Sequence, residues 1–242
     1  MPPKRRGRKR KARPSDEGEC ESRLLQPDPG NEVQRIGSRG GSVPSGSPTI
    51  TLEYLQRTTI DIWILGDSIP YWAGVRANEL GTPNLKLDGK SIGWWGIRGM
   101  SWDDFRRSVE CNVILSKPPD VILIHLGGND LLSKSLRKLR FIIGAEIKYL
   151  SEAFPDSVII WIDILQRLSW NSDVSIHKIE ESRKRINRWG RQQVRRHPKS
   201  EVISVDIDYK TPGFFRADGV HLSNIGLAFY IDAIKDVILK YI

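Results

Sequence analysis

The distribution of hydrophobic positions changes at about Thr58. Beyond this point, short runs of apolar, β-branched residues alternate with longer segments in which apolar residues recur with the period of a helix. Such alternation is typical of βαβ units, in which helices join parallel strands. We therefore predict an α/β domain with a mostly parallel sheet.

Five segments have the composition of strands. The third and fourth are apolar at nearly every position, as expected for strands that helices cover on both faces, so we place them at the centre of the sheet. In chain order the predicted strands are 60–66, 85–91, 120–127, 157–165 and 201–207.

Three intervening segments have a helical pattern. Two carry apolar stripes that should pack on the sheet. The first stripe consists of Leu136, Leu139, Ile143, Ile147 and Leu150, and the stripe of the closing helix consists of Leu227, Ile231, Ile234, Ile238 and Tyr241. A third helix, around residues 176–196, carries a basic face that we expect to be solvated. Its residues are Lys184, Arg188, Arg191 and Arg195.

The N-terminal fifth of the chain has a different composition. The 242 residues carry a net charge of +9, and residues 1–50 contribute +5 of it through 11 Lys and Arg against 6 Asp and Glu. This segment has almost no aromatic or β-branched residues whose burial could offset the entropy of ordering. We predict a disordered basic tail over residues 1–50 and a single domain over residues 51–242.

The tail allows three interpretations. Its basic cluster, residues 4–13, could be a nuclear-import signal that an import receptor binds, or an arm that binds nucleic acid. The third interpretation is a flexible segment that is only solvated. No apolar segment follows the cluster, so the pattern of a secretory signal is absent. We expect a soluble intracellular protein, nuclear if the cluster directs import, which is not secreted.

The longest apolar runs fall short of the roughly 20 residues of a membrane-spanning helix. We therefore expect no membrane span. With two cysteines, the chain has neither a disulfide framework nor a four-cysteine metal site.

A candidate catalytic residue follows the first predicted strand. In open parallel sheets, ligands bind beyond the carboxyl ends of the strands. The first strand leads directly into Gly66-Asp67-Ser68 and then a helix, which places the Ser68 hydroxyl at that edge. Ser68 is a candidate nucleophile, and the alternative is that it caps the helix by accepting a backbone hydrogen bond.

Two more loops fall at the same predicted edge. The loop 94–102 contains Gly96 and Gly99, where the backbone could approach a ligand and present an N–H, or where an ordinary turn could form. Asn129 follows the third strand. Its side-chain amide could donate to a ligand oxygen, or Asn129 or Asp130 could cap the next helix.

A fourth feature precedes the closing helix. Asp218 lies three residues before His221, so in a tight turn its carboxylate can reach the imidazole and leave the other ring nitrogen free to accept a proton. The alternative is a surface Asp-Gly turn beside a structural histidine. Four such features are now predicted at one edge of the sheet. Helix caps and turns that occur there by coincidence explain this arrangement poorly.

Together these blocks resemble the SGNH hydrolases, also called GDSL-type esterases and lipases. The similarity extends from Ile60 to the closing helix and rests on four motifs. These are Gly66-Asp67-Ser68, the glycine at 99, Gly127-Gly128-Asn129-Asp130 and Asp218-Gly219-Val220-His221. The resemblance implies a flavodoxin-like α/β/α sandwich around a five-stranded parallel sheet. The motifs WILGDSI, HLGGND and DGVHLSNIG are more narrowly similar to SGNH domains carried by vertebrate retroelements.

The resemblance also implies a serine ester hydrolase. It makes Ser68 the nucleophile, His221 the general base and acid, and Asp218 the residue that orients His221. The oxyanion hole would comprise the Ser68 and Gly99 N–H groups and the Asn129 side chain, with Gly96 competing for the role of Gly99. Such an enzyme cleaves carboxylic ester bonds, acyl or acetyl, in an acetylated sugar, a lipid or a small ester, and we expect it to need no metal and no cofactor.

The sequence leaves two alternatives open. Five tryptophans fall near the predicted site loops and could form an aromatic wall for a substrate, or fill the core. They are Trp72, Trp94, Trp95, Trp102 and Trp170. The competing functional class is a catalytically inactive module that keeps this fold and binds nucleic acid, or serves a retroelement as an accessory module. The tail and the basic helix face motivate that class, whereas the aligned Ser, Asn, Asp and His favour the enzyme.

Overall fold

The computed structural model describes residues 60–115, 117–170 and 172–242. In this part of the chain, five strands alternate with five helices. The strands are β1 Ile62–Gly66, β2 Ile92–Gly96, β3 Val121–His125, β4 Val158–Ile162 and β5 Ser200–Ile203. The helices are α1 Ser68–Glu79, α2 Phe105–Leu115, α3 Leu136–Ala153, α4 Ile176–Val194 and α5 Asn224–Ile238.

All strand pairs of the sheet are parallel, and the strand order is β2-β1-β3-β4-β5. This is the flavodoxin-like order, so the predicted fold class is confirmed. β3 is the central strand and β4 is its neighbour, as the uninterrupted apolar runs predicted. The chain leaves β1 towards one edge and returns to β3 on the other side, which creates a crevice at the carboxyl ends of β1 and β3.

Alternate strand residues bury their side chains on opposite faces of the sheet. In β1, Ile62 and Ile64 pack against α1 and α5, whereas Trp63 and Leu65 pack against α2, α3 and α4. All four side chains are fully buried. Burial of each such side chain contributes roughly 1.5–3 kcal/mol, so the two apolar layers hold the carboxyl edge of the sheet in place.

The predicted second strand is wrong. Residues 85–91 form turns, in which Leu85 and Lys86 have left-handed φ values of 54° and 57°, and β2 begins only at Ile92. Leu85 and Leu87 are buried, so their apolar alternation reflects the anchoring of a loop. The true strand, Ile-Gly-Trp-Trp-Gly, lacks that alternation because one of its faces packs closely on α1.

Helix α2 was not predicted, and the remaining elements differ from prediction only at their ends. The α3 stripe is confirmed, since its four residues from Leu139 onward are buried. Helix α5 ends at Ile238, so Tyr241, which the predicted stripe included, lies beyond the helix and is exposed. β5 stops at Ile203, and Val205 and Ile207 continue into the core without strand pairing.

Within the described ranges, no helix combines the length and the apolarity that a bilayer crossing requires. The predicted basic tail, residues 1–50, lies outside the described residues.

Candidate active site

The serine of the first motif opens helix α1. Ser68 is the first helical residue, and Asp67 caps the helix, because its Oδ1 accepts a hydrogen bond of 3.1 Å from the Ile69 N–H. The alternative in which Ser68 is the cap is therefore wrong. The Asp67 N–H donates to the His125 carbonyl at the end of β3 (3.3 Å). A Cβ on Gly66 would overlap that carbonyl, so the turn requires glycine at this position.

The two glycines that compete for the second block have different surroundings. Gly96 ends β2, and a Cβ there would overlap the backbone N of Tyr71 in α1. Gly99 is exposed in a left-handed turn with φ of 76°, and a Cβ would meet no atom within 4 Å. The Gly99 N–H donates to no backbone carbonyl of the described residues. Gly96 is thus required for close packing, whereas the conformation of Gly99 leaves its N–H available.

Asn129 lies in a turn after β3 and contacts the loop that carries Gly99. Its Nδ2 donates to the Met100 carbonyl (3.0 Å), which leaves the second amide hydrogen available. Helix α3 begins only at Leu136 and is capped by Ser135. The alternative in which Asn129 caps the next helix is therefore wrong.

Asp130 does not cap that helix either, and instead connects the two loops. Its fully buried carboxylate accepts hydrogen bonds from the Trp102 N–H (3.2 Å to each oxygen) and pairs with Lys134 (2.8 Å). Burial raises the pKa of Asp130, and the bonds from Lys134 and Trp102 oppose that shift. The Asp130 carboxylate therefore connects the loop that carries Gly99 to the loop that carries Asn129.

The histidine motif forms the predicted short-range pair. His221 Nδ1 lies 2.8 Å from Asp218 Oδ2, and Oδ1 accepts hydrogen bonds from the His221 N–H (2.9 Å) and the Val220 N–H (2.8 Å). Burial alone would raise the pKa of Asp218, but these hydrogen bonds lower it to about 2. Asp218 is therefore ionised near neutral pH. His221 Nε2 makes no hydrogen bond to the described residues.

The site residues are linked to different degrees. Asp218 bonds directly to His221, and Asn129 bonds to the loop of Gly99. Ser68 is 7 % exposed, and its hydroxyl makes no hydrogen bond to the other described residues, His221 included. The Ser169 N–H, after β4, donates to the Gly219 carbonyl (3.0 Å), so the His221 turn lies at the same carboxyl edge of the sheet as the other three motifs.

Arg167 is a residue of this region that the sequence analysis missed. Its guanidinium is 7 % exposed and lies 3.7 Å from Asp67 Oδ2. A Cβ on Gly128 would meet the Arg167 Cζ at 2.9 Å, and the guanidinium covers the Trp170 ring at 4.9 Å. Burial lowers the pKa of Arg167, whereas Asp67 and Asp218 raise it. Arg167 thus lies among the turns that carry Ser68, Asn129 and Asp218.

We expect Arg167→Met to lower the free energy of unfolding by about 3–5 kcal/mol, because it leaves the Asp67 carboxylate buried without its countercharge. Urea denaturation measures this. Arg188→Met, at an exposed position of α4, should change stability by less than about 0.5 kcal/mol. Equal losses in the two variants would show that the Asp67 pair contributes nothing specific.

A buried histidine lies under the same turn. His125 Nδ1 is 2.9 Å from the Tyr230 hydroxyl. Burial lowers the pKa of His125 to about 4. Among its charged neighbours, Arg167 lowers the pKa, and Asp67 and Asp163 raise it. In the native protein His125 is therefore neutral at pH 7.

This gives stability a defined pH dependence. His125 takes up a proton near pH 6.5 when unfolded but only near pH 4 when folded, so stability should decrease as pH falls from 6.5 to 4, by up to about 3 kcal/mol. Urea denaturation at a series of pH values measures the slope. His125→Gln should flatten it, and an unchanged slope in this variant would assign the dependence to other groups.

Solved structures with similar folds were compared with the chain. A GDSL-like lipase from Bacteroides thetaiotaomicron aligns with a TM-score of 0.56 and 19% identity, covering 75% of this chain and 88% of its own. A psychrotrophic esterase from Pseudoalteromonas aligns with a TM-score of 0.55 and 18% identity, covering 74% and 97%. The chain has the fold of the GDSL-type, or SGNH, hydrolases.

A third match is a mutant of an acetyl esterase solved with an acetate ion, with a TM-score of 0.54 and 20% identity, covering 75% of this chain and 97% of its own. Comparison with family models and with curated proteins finds no match. The predicted SGNH fold is therefore confirmed, and the narrower similarity to retroelement domains stays a prediction.

Most of the tryptophans near the predicted site loops pack in the interior of the domain. Trp94 and Trp95 are residues of β2 and pack on its two opposite faces. Trp102 is buried and stacks on Trp161 at 6.1 Å. The packing alternative thus holds for these three residues and for Trp170, which is buried against Arg167. Trp72 is half-buried and contacts Arg98 and Arg216.

Proposed function

We propose that the chain is a serine ester hydrolase of the SGNH type that cleaves acyl or acetyl esters. The observation that carries this proposal is the 2.8 Å contact between His221 Nδ1 and Asp218 Oδ2, while Nε2 has no hydrogen bond to the described residues. A surface Asp-Gly turn has no need of an ionised carboxylate aligned on an imidazole. Lipases and esterases among the proteins of similar fold support the same conclusion.

The first step of the proposed reaction is attack by Ser68. Neutral His221 accepts the Ser68 hydroxyl proton on Nε2 while Oγ attacks the ester carbonyl carbon. The carbonyl π electrons move to oxygen and form a tetrahedral oxyanion. Asp218 holds the required imidazole tautomer and stabilises the imidazolium.

Three donors are proposed for the oxyanion. The Ser68 N–H lies at the first position of α1, where the helix dipole favours negative charge. The Gly99 N–H donates to no described backbone group, and the second hydrogen of the Asn129 amide is available. The Met100 carbonyl orients that amide, so the donor is in place before the charge develops.

The second half of the reaction returns the serine. His221 gives its proton to the leaving alcohol, and the C–O bond of the ester breaks to leave an acyl-serine. Water then loses a proton to His221 and attacks the acyl carbon, and the same proton returns to Ser68 as the acid departs. Each step uses side chains and backbone of this chain.

The nucleic-acid-binding alternative is less well supported. Of the basic residues predicted along α4, Arg191 pairs with the buried Asp163 and donates to Ser204 (3.0 Å), so it is not simply solvated. Lys184, Arg188 and Arg195 are exposed. That face does not account for the aligned His221 and Asp218.

A panel of 4-nitrophenyl esters from acetate to laurate tests the proposal on the full chain. We expect saturable hydrolysis with a preferred acyl length, and loss of that hydrolysis in Ser68→Ala. Ser182→Ala, which changes a serine on α4, is the matched control. Hydrolysis that persists in Ser68→Ala, or is absent from folded wild type across the panel, would contradict the proposal.

A further inference from the structure

Two arginines stack on one tryptophan beside the proposed nucleophile. Trp72 follows Ser68 by four residues on α1, so both side chains lie on the same face of the helix, one turn apart. The Arg98 Cζ lies 5.7 Å and the Arg216 Cζ 4.4 Å from the Trp72 ring centroid. Ester cleavage as described uses none of these three side chains.

Both arginines come from loops that carry proposed site residues. Arg98 immediately precedes Gly99. The Arg216 N–H donates to the His221 carbonyl (2.8 Å), and its Nε donates to the Leu222 carbonyl (3.0 Å). This anchoring fixes the Arg216 guanidinium beside Trp72 and leaves its two terminal nitrogens available.

Neither guanidinium has a carboxylate partner among the described residues. Several other arginines of the domain do have such partners, although exposed ones such as Arg188 do not within the described ranges. Arg106 binds Glu146 through two nitrogens, Arg191 binds Asp163, and Arg167 faces Asp67. Arg98 and Arg216 thus form no ion pair with a described carboxylate, although Asp67 and Asp218 lie in neighbouring turns.

We propose that Arg98, Arg216 and Trp72, here called the anion subsite, bind a phosphate group carried by the alcohol part of the ester substrate. Guanidinium groups match phosphate oxygens in geometry and form two parallel hydrogen bonds to them. The anion subsite adjoins Ser68 within one helical turn, which fits an ester and a phosphate separated by a short alcohol such as glycerol. This inference rests on the proposed esterase function and narrows its substrate class.

A matched pair of substrates tests the anion subsite. 1-Butyrylglycerol and 1-butyrylglycerol 3-phosphate differ only in the phosphate. At low salt we expect the wild-type full chain to favour the phosphorylated ester about 10- to 100-fold in kcat/KM, mostly through KM. The preference should fall as ionic strength rises, because salt screens exposed charges.

Charge-removing variants assign that preference to residues. In the Arg98→Gln/Arg216→Gln double variant, the ratio of kcat/KM values for the two esters should fall to within about threefold of unity. Arg188→Gln removes one positive charge from an exposed position of α4 and should keep the wild-type ratio. Arg98→Lys should keep the attraction but lose part of the ratio, because an ammonium cannot form the paired bonds.

The outcomes separate the two proposals. Equal hydrolysis of both esters by wild type, or a preference that the double variant retains, overturns the anion subsite and leaves the esterase proposal intact. If neither ester is cleaved, isothermal titration of wild type with glycerol 3-phosphate decides, since the subsite requires binding that the double variant loses. Absence of this binding overturns it.

Lengthening the acyl chain identifies the source of the phosphate. A preference that holds for butyryl esters and increases for 1-oleoylglycerol 3-phosphate in vesicles indicates a lipid headgroup. A preference confined to the butyryl ester indicates a soluble phosphorylated alcohol. Either result supports the anion subsite, because both require the phosphate.

Discussion

Replacing Ser68 with alanine should lower kcat/KM for ester hydrolysis by about 10⁴- to 10⁶-fold, because the variant loses the atom that forms the acyl intermediate. Ser68 is the first residue of α1 and does not cap it, and its hydroxyl makes no hydrogen bond to the described residues. The melting curve should therefore stay within a few degrees of wild type. Initial rates with the preferred 4-nitrophenyl ester measure the effect.

His221→Ala should cause a loss of similar size, and the double variant should be no worse than either single one, because the two residues act as a unit. Asp218→Asn should lower kcat by about 10⁴-fold, since an amide favours the wrong imidazole tautomer. Losses that multiply in the double variant would show that Ser68 and His221 act independently. That result would contradict the proposed mechanism.

Asn129→Ala should lower kcat by about 10²- to 10³-fold with little change in KM, because it removes a donor aimed at charge that exists only in the transition state. The variant also loses the bond to the Met100 carbonyl, which should cost about 0.5–1.5 kcal/mol of stability. Steady-state kinetics and urea denaturation measure both effects on the same variant.

Asn78→Ala is a matched control for this variant. Asn78 lies near the C-terminal end of α1, and its Nδ2 donates a hydrogen bond of similar length, 2.9 Å, to the Gly74 carbonyl. Its removal should cost comparable stability and leave kcat within about twofold of wild type. If Asn129→Ala resembled Asn78→Ala in both measurements, Asn129 would be a structural residue only.

The sequence predicts the central strands of the fold but not its edge. β1, β3 and β4 are buried on both faces, so their composition alone identifies them. β2 lies at the edge of the sheet and contains two glycines and two tryptophans, so it gives no periodic signal. The buried loop leucines before it mimic a strand. The hydrophobic pattern of the sequence shows which residues are buried, but it does not show which of them pair as strands.

The site divides in a similar way. The Asp218 and His221 pair is local, three residues apart, and the sequence predicts it correctly. The role of Arg167 depends on Asp67, 100 residues earlier in the chain, and on Gly128, and only the folded sheet brings these together. Its position just after the fourth predicted strand is the one signal that could have identified it.

Labelling with a fluorophosphonate tests the central proposal most directly, because only an activated serine reacts with this probe at neutral pH. Peptide mapping of the labelled full chain should place the adduct at Ser68 alone. Ser68→Ala should abolish labelling, and His221→Ala should reduce it steeply, each in protein with a wild-type melting curve. A folded wild type that stays unlabelled, or an adduct that persists in Ser68→Ala, would contradict the assignment of Ser68 as the nucleophile.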